Sequence, residues 1–299
     1  MTGQQESLAR FFEIRFMELL DHIDFLTKER DNEVLTQLRR QIADVRRSLD
    51  EFRENGSSVV RVTEYPSPLG SQTQEVSVVD DAMYVALEDY FRGNPAEIAQ
   101  RQKQYIPYVA TVVDEEHPLL DIGCGRGEWL ELLASAGIPA RGIDTNRISV
   151  DEACERGLQV ELGDVLAVLR AAPRESLGAI TLFQVMEHLP FPMLVETFRL
   201  AVGALRPGGI LIAEIPNTET LAVGATTFWI DPTHQRPLFP GILKFLASEV
   251  GFSSIDSVYS TPLAAEPELL GIPEPDRSVL LKLFRRIDGP GDFALIAKA

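Results

Sequence analysis

The sequence predicts an α/β fold, a doubly wound sheet of seven mostly parallel strands that follows a long helical segment. Three observations carry this expectation. From residue 118 onward, short β-rich apolar runs alternate with amphipathic helical runs, the pattern of a parallel sheet covered on both faces. A glycine-rich turn, "DIGCGRGEW", stands at the first strand-to-helix junction. Ahead of the alternation, residues 8–54 carry apolar positions at steps of four and three.

The N-terminal stripe has two phases. Phe12, Phe16, Leu19, Ile23 and Leu26 form the first, and Leu35, Leu38, Ile42, Val45, Leu49 and Phe52 the second. The polar stretch "TKERDNE" shifts the phase without Gly or Pro, as a coiled-coil stutter or a tight turn between two helices would. The stripe is expected to serve self-association into a homo-oligomer; an amphipathic helix packed on its own domain is the alternative. Residues 55–78 hold Gly, Ser and Pro without a sustained period and read as a linker. The expected division is therefore a helical segment over 1–54, a linker over 55–78 and a strand–helix domain over 79–299.

Within that domain, residues 81–113 read as helical, with Asn94 as a cap and Pro95 at a first helical position. Strands follow at 118–123, 140–144, 158–164, 177–184 and 208–216, the first four each with a helix after it. Two further strands lie in "FSSIDSVYST" and "GDFALIAKA", and residues 261–290 stand as an insertion before the last. That insertion is a candidate acceptor-side lid.

Composition limits the function. A formal charge of −17 argues against a nucleic-acid partner, because such binding rests on Lys and Arg neutralising phosphates. With two cysteines, Cys124 and Cys154, no disulfide framework is possible. No apolar run reaches the roughly 18–20 residues of a membrane span, and the N-terminus lacks the pattern of a secretion signal. A cytoplasmic address is expected, in one reading at the periphery of a membrane-associated assembly.

The glycines Gly123, Gly125 and Gly127 suit a tight turn that a ligand must approach closely. They do not form the dinucleotide fingerprint G-x-G-x-x-G, since Glu128 stands where the third glycine would be. Asp121 precedes them by two positions, and Asp144 ends strand two, where a carboxylate can accept hydrogen bonds from a vicinal diol. Asp144 could equally begin the next helix as a cap.

The series D-x-G-x-G-x-G, Asp144 after strand two, "GDVL" at 163–166 and "LRPGG" at 205–209 resembles the class I S-adenosylmethionine-dependent methyltransferases. The resemblance covers about residues 80–299 and implies the Rossmann-like methyltransferase fold, with the closing strands as an antiparallel hairpin. It implies S-adenosylmethionine as cofactor, with Asp121, Gly123 and Gly125 in the binding turn. Asp144 would then meet the ribose hydroxyls, Asp164 the adenine amino group, and Val165 and Leu166 its ring. Arg101 is a candidate for the methionine carboxylate, its alternative being a solvated surface arginine.

The acceptor end falls after strand four, in "FQVMEHLPFP". A helical turn there would place Gln184, Glu187 and His188 on one face. "FWIDPTHQRPLFP" after strand five adds Asp231 and His234, so two of the chain's four histidines meet at one cleft. Glu187, His188, His234 and Asp231 are the candidate catalytic residues, with Gln184 lining the methyl-transfer edge and Asp231 orienting His234 through its second nitrogen. A histidine can deprotonate a hydroxyl near working pH, or a divalent metal can lower the hydroxyl's pKa. The pattern resembles E-x-x-E-H with a distant histidine, the metal site of the small-RNA 2′-O-methyltransferases, and quinone-biosynthesis O-methyltransferases share its first part. By that resemblance Glu187, His188 and His234 would hold magnesium or manganese, but Gln184 replaces the first acid and offers a weaker ligand.

"YFRGNPAEIAQRQKQYIPYV", "VMEHLPF", "EIPNTE" and "FWIDPTHQRPL" together resemble methyltransferases of bacterial surface-polysaccharide pathways (O-antigen and capsule type). That resemblance implies a glycan or other sugar-containing acceptor, with Phe228 and Trp229 suited to stacking on sugar rings or to packing under a loop. A small-molecule or lipid-linked alcohol or quinone acceptor is the alternative, and a non-enzymatic assembly module the remaining one.

Overall fold

A computed structural model of the chain describes residues 84, 85, 87, 95–267, 274 and 276–299. The chain divides into two units between Val78 and Val79, and every described residue belongs to the second. The helical stripe of 8–54 and the linker of 55–78 lie outside the described residues.

Seven strands form one sheet in the order β3-β2-β1-β4-β5-β7-β6. They are β1 (Leu119–Ile122), β2 (Ala140–Asp144), β3 (Val160–Leu162), β4 (Leu177–Phe183), β5 (Leu205–Pro216), β6 (Ser254–Pro262) and β7 (Pro290–Lys298). β1 to β5 pair in parallel, and β7 runs antiparallel between β5 and β6. Two strands have bounds that differ from those the sequence suggested. "LRPGG", read as a turn into strand five, is already part of β5, with an irregular register beside Leu177 and Ala179. β6 likewise runs on to Pro262, into the insertion.

The helices are α1 (Pro95–Gln102), α2 (Ile106–Val109), α3 (Glu128–Ser135), α4 (Arg147–Glu155), α5 (Val165–Ala171), α6 (Phe191–Ala204), α7 (Leu221–Ala225), α8 (Pro240–Val250) and α9 (Asp276–Asp288). Their starts follow local chemistry. The Asn146 side chain accepts from Ile148 and Ser149 N–H to cap α4, and Asp164 accepts from Leu166 and Ala167 N–H to cap α5. A proline stands in the first turn of both α6 and α8, where its missing N–H removes no helical hydrogen bond. Part of the insertion is α9, whose chain returns at Gly289 into β7.

Strand alternation sends side chains to two cores. In β4, Ile180 and Leu182 pack with Phe198, Leu243 and Phe252 of one helical layer. Ala179 and Phe183 face the other layer, with Tyr105, Trp129 and Val150. Fully burying side chains of this kind contributes roughly 1.5–3 kcal/mol each, so both faces of the sheet need their cover. The two layers leave open the carboxyl edge of the parallel strands, where ligands bind in such sheets.

At that edge the start of β7 is fastened to the end of β5. Asn217 N–H donates to the Gly291 carbonyl at 2.7 Å, and Asn217 Nδ2 and Thr220 Oγ1 donate to the Pro290 carbonyl at 3.0 and 2.7 Å. Pro216 thereby stands opposite Asp292, and Glu214 opposite Ala294. Among the described residues no helix is long and apolar enough to cross a membrane.

Candidate active site

The ends of β1, β2 and β3 form one continuous network around Asp144. Its Oδ2 accepts from Gly125 N–H at 2.8 Å and its Oδ1 from Asn146 N–H at 2.7 Å. Its backbone carbonyl accepts from Gly163 N–H at 2.9 Å. Asp144 therefore ties the glycine turn to the segment that carries Asp164. The helix cap that Asp144 could have supplied comes from Asn146 instead. Each carboxylate oxygen has two lone pairs, so one bond to each leaves acceptor capacity for a diol. The residues fit S-adenosylmethionine on this count.

Gly123 adopts φ +71°, open to glycine at little cost, and a Cβ there would come within 2.4 Å of Val185 Cγ2. The glycine turn thus packs directly on the segment after β4. Asp121 is buried, faces the same core as Leu119, and accepts from Thr181 Oγ1 at 2.7 Å. Asp164 uses Oδ1 for both cap bonds, so the cap does not engage its second oxygen. Val165 is buried and Leu166 half-buried beside it.

The acceptor side differs from the sequence expectation in one respect that matters. Residues 184–188 do not form one helical face. Gln184 sits at φ +57°, and only Met186–His188 make a 3₁₀ turn. The Gln184 side chain turns to donate to Asp292 Oδ1 at 3.1 Å and, at 3.5 Å, to Glu214 Oε1. Gln184 still lines the cleft, but with a different pair of carboxylates from Glu187.

Glu187, His188 and His234 do converge, with ligand-type atoms all within 4.8 Å of one another. Glu187 is 1% exposed, and its backbone carbonyl accepts from Gln235 N–H at 2.9 Å, fastening the loop after β5 to the turn after β4. The imidazole rings of His188 and His234 are 4.7 Å apart. Asp231 does not orient His234 as expected. His234 Nδ1 donates to the Phe228 carbonyl at 2.6 Å, and its Nε2 lies 3.9 Å from both Glu187 Oε1 and Asp231 Oδ2. Phe228 is 1% exposed and packs on the His234 ring at 4.5 Å, so it supports the histidine from beneath the loop. Trp229 is half-exposed, with its indole N–H on the Gly224 carbonyl.

Asp231 works instead through a residue that the sequence reading missed. Thr233 Oγ1 donates to Asp231 Oδ1 at 2.6 Å and is 2.9 Å from His188 Nδ1. An ionised carboxylate can only accept, so the threonine hydrogen goes to Asp231 and Thr233 Oγ1 accepts from His188 Nδ1–H. In the neutral ring this leaves the lone pair on Nε2.

The cleft lined by Gln184, His188, Asp231 and His234 measures about 370 Å³. Its wall also carries Glu214, Asp292, Arg101 and Gln102, of which only Arg101 was expected. Tyr105 O–H donates to Glu214 Oε2 at 2.5 Å. Burial, and then the charge of Asp292, raise Glu214 to about 7, against the opposing pull of Tyr105, Gln184 and Arg101. Tyr105 is pushed upward by its own burial and by Glu214. A lone acid in the apolar strand "GGILIAEIP" was the available signal for Glu214.

The fold and this edge define a class I S-adenosylmethionine-dependent methyltransferase. A family described as "Methyltransferase domain" matches residues 96–252, and the chain belongs to it. The crystal structure of an S-adenosylmethionine-dependent methyltransferase from Archaeoglobus fulgidus is 31% identical with a TM-score of 0.65, over 72% of this chain and 99% of that one. A probable S-adenosylmethionine-dependent methyltransferase from Mycolicibacterium smegmatis is 30% identical over 142 residues, 47% of this chain and 53% of the relative. A ubiquinone biosynthesis O-methyltransferase from Ralstonia nicotianae is 32% identical over 96 residues, 30% of this chain and 40% of the relative. The chain thus spans about half the length, or less, of the curated relatives it matches.

Proposed function

We propose that the chain transfers the methyl group of S-adenosylmethionine to a hydroxyl of a sugar-containing acceptor, with His188 receiving the hydroxyl proton. The Asp231–Thr233–His188 chain of hydrogen bonds carries this reading, because it fixes the imidazole tautomer with Nε2 as the base. The named activity of the ubiquinone biosynthesis relative, an O-methyl transfer, is consistent with a hydroxyl acceptor.

Bound S-adenosylmethionine supplies a methyl group on a positively charged sulfur. Asp144, Gly123 and Asp164 hold the adenosine part, and Arg101, which lines the cleft, meets the methionine carboxylate. His188 Nε2 would take the proton of the acceptor hydroxyl, whose oxygen gains the methyl group as the methyl–sulfur bond breaks and S-adenosylhomocysteine is released. Asp231 holds Thr233, Thr233 holds His188, and His234 on the Phe228 carbonyl closes the other wall. Ile230, which lines the cleft and is exposed, supplies apolar surface that suits the carbon face of a sugar ring.

A metal-assisted version is favoured by the convergence of Glu187, His188 and His234. One carboxylate and two imidazoles, each held at Nδ1 by an oxygen, fit the donor chemistry of a divalent ion such as magnesium or manganese. Held there, the ion would lower the pKa of the acceptor hydroxyl.

The test is methyl transfer to mannose, rhamnose and fucose oligosaccharides, a quinol and a lipid-linked alcohol, with and without chelator. Methylation of sugars alone supports the proposed acceptor, and methylation of the quinol or the lipid alcohol alone overturns it. Loss of activity on chelation, restored by magnesium or manganese, selects the metal-assisted version; chelator-resistant activity selects histidine as the base.

A further inference from the structure

A second polar group lines the same cleft and has no part in the proton transfer. Gln102, at the end of α1, is 7% exposed, and among the described residues its Oε1 has no hydrogen-bond partner. Buried side-chain acceptors are nearly always satisfied in native proteins, since burial costs them their water. A ligand carrying O–H or N–H groups would restore the missing bond. Beside Gln102 in the cleft stand Glu214 and Asp292, which are bridged by the Gln184 amide at 3.5 and 3.1 Å. A wall so rich in acceptors asks for donors from its ligand.

Two donor classes fit in principle, a hydroxylated group and an ammonium. The local charges favour the first. Arg101 lines the same cleft and opposes a second cation. Burial and the Asp292 charge also favour a proton on Glu214 near neutral pH, so the acid pair does not offer its full negative charge. A carboxylic acid beside a carboxylate can both donate and accept, as hydroxyl groups do.

We propose that Gln102, Glu214 and Asp292 form a subsite for the neighbouring hydroxyls of a polyhydroxylated acceptor, which they hold while another hydroxyl of the same molecule meets His188. The assignment rests on the reading of this cleft as the acceptor cleft. It makes regiochemistry a matter of the spacing between the two polar groups. A monohydric alcohol engages only the His188 end and binds poorly.

The full-length chain with Gln102→Leu or Asp292→Asn tests the subsite, with mannose, rhamnose and fucose oligosaccharides as acceptor probes. Each variant should raise KM for the preferred oligosaccharide about tenfold or more, while calorimetric affinity for S-adenosylhomocysteine stays within about twofold. A deoxy form of that sugar should show the same loss with the unaltered protein and little further loss with the variants. An unchanged KM in folded variants overturns the subsite and leaves the acceptor reading intact. Weakened S-adenosylhomocysteine binding with unchanged KM also overturns it, and assigns the group to the cofactor's amino end. Failure of the unaltered protein to methylate any sugar of the panel overturns both readings. Should Gln102→Leu not fold, the near-isosteric Asp292→Asn decides.

Discussion

The cofactor half and the acceptor half of the edge are built by different means. On the cofactor side, Gly123, Gly125 and Asp164 sit in short turns after β1 and β3, and Asp144, the last residue of β2, joins these turns through its side chain and backbone. On the acceptor side, three of the interactions join segments far apart in the chain: Tyr105 to Glu214, Gln184 to Asp292, Thr233 to His188. The first half is specified by local turn geometry, the second by how the strands and loops are assembled. Changes to the first should act on cofactor affinity, and changes to the second on turnover, acceptor KM or pH response.

The largest effect is expected at the histidines. His188→Ala and His234→Ala should each lower turnover by about 10²–10⁴, the range for a positioned acid–base group, with S-adenosylhomocysteine affinity unchanged by calorimetry. Near-normal turnover in either variant would make that histidine a packing residue.

Glu214 sharpens the comparison through pH. Its native carboxyl is raised to about 7 by burial, from an ordinary value of 4.5. Between those values the native state holds more protons than the unfolded one, so stability falls as pH rises through that window. The loss is on the order of 2 kcal/mol, given about 1.4 kcal/mol per pH unit and sharing of the proton with its neighbours. Glu214→Gln should flatten the fall in melting temperature between pH 5 and 8. An unchanged slope would mean that Asp292 or another group carries the titration.

Asp144→Ala removes two charge-assisted hydrogen bonds proposed to reach the ribose, so S-adenosylmethionine affinity should drop at least tenfold. It also frees Gly125 and Asn146 N–H, so a melting temperature lower by several degrees should accompany the loss. A stability change without any affinity change would leave Asp144 as a purely structural tie.

Thr233→Val keeps volume and removes the hydroxyl, and should cost about tenfold in turnover by freeing the His188 tautomer. Thr233→Ser should restore most of it. If the serine variant is as slow as the valine one, the hydroxyl is not what positions His188.

The smallest effect on catalysis is expected from removing residues 1–78, since the proposed role of the 8–54 stripe is self-association. Light scattering of a chain beginning at residue 79 should show a mass lower by more than the deleted residues, with methyl transfer largely retained. Equal oligomeric state with and without the segment would rule out that role.

Much of the cofactor half was legible in the sequence because its determinants are consecutive. Glycine positions and a strand-terminal acid are short-range signals, and strand–helix alternation signals a parallel sheet. The acceptor half was legible only in part. Glu187, His188 and His234 could be named, but the left-handed conformation of Gln184 could not be read from a run that looks helical. Asp231 was expected to hold His234, but it stands 3.9 Å from His234 Nε2 and accepts from Thr233 instead. A loop's internal hydrogen bonds depend on which oxygen is near, here the Phe228 carbonyl for His234 Nδ1. Thr233 was passed over because threonine in a proline-rich loop carries no chemical signature by itself. Asp292 needed the antiparallel placement of β7, which brings a distant acid beside β5.

The fastening at the start of β7 gives Asn217 an influence out of proportion to its distance from any reacting atom. Asn217 and Thr220 hold the Pro290 and Gly291 carbonyls, and so decide which residue of the last strand comes opposite Pro216. Slippage by one residue would carry the Asp292 carboxylate to the opposite face of the sheet, and slippage by two would move it about 7 Å along the strand. In a lineage of such enzymes, drift at Asn217 would therefore be a route to new acceptors that changes the position of Asp292 without substituting any residue proposed to touch the acceptor.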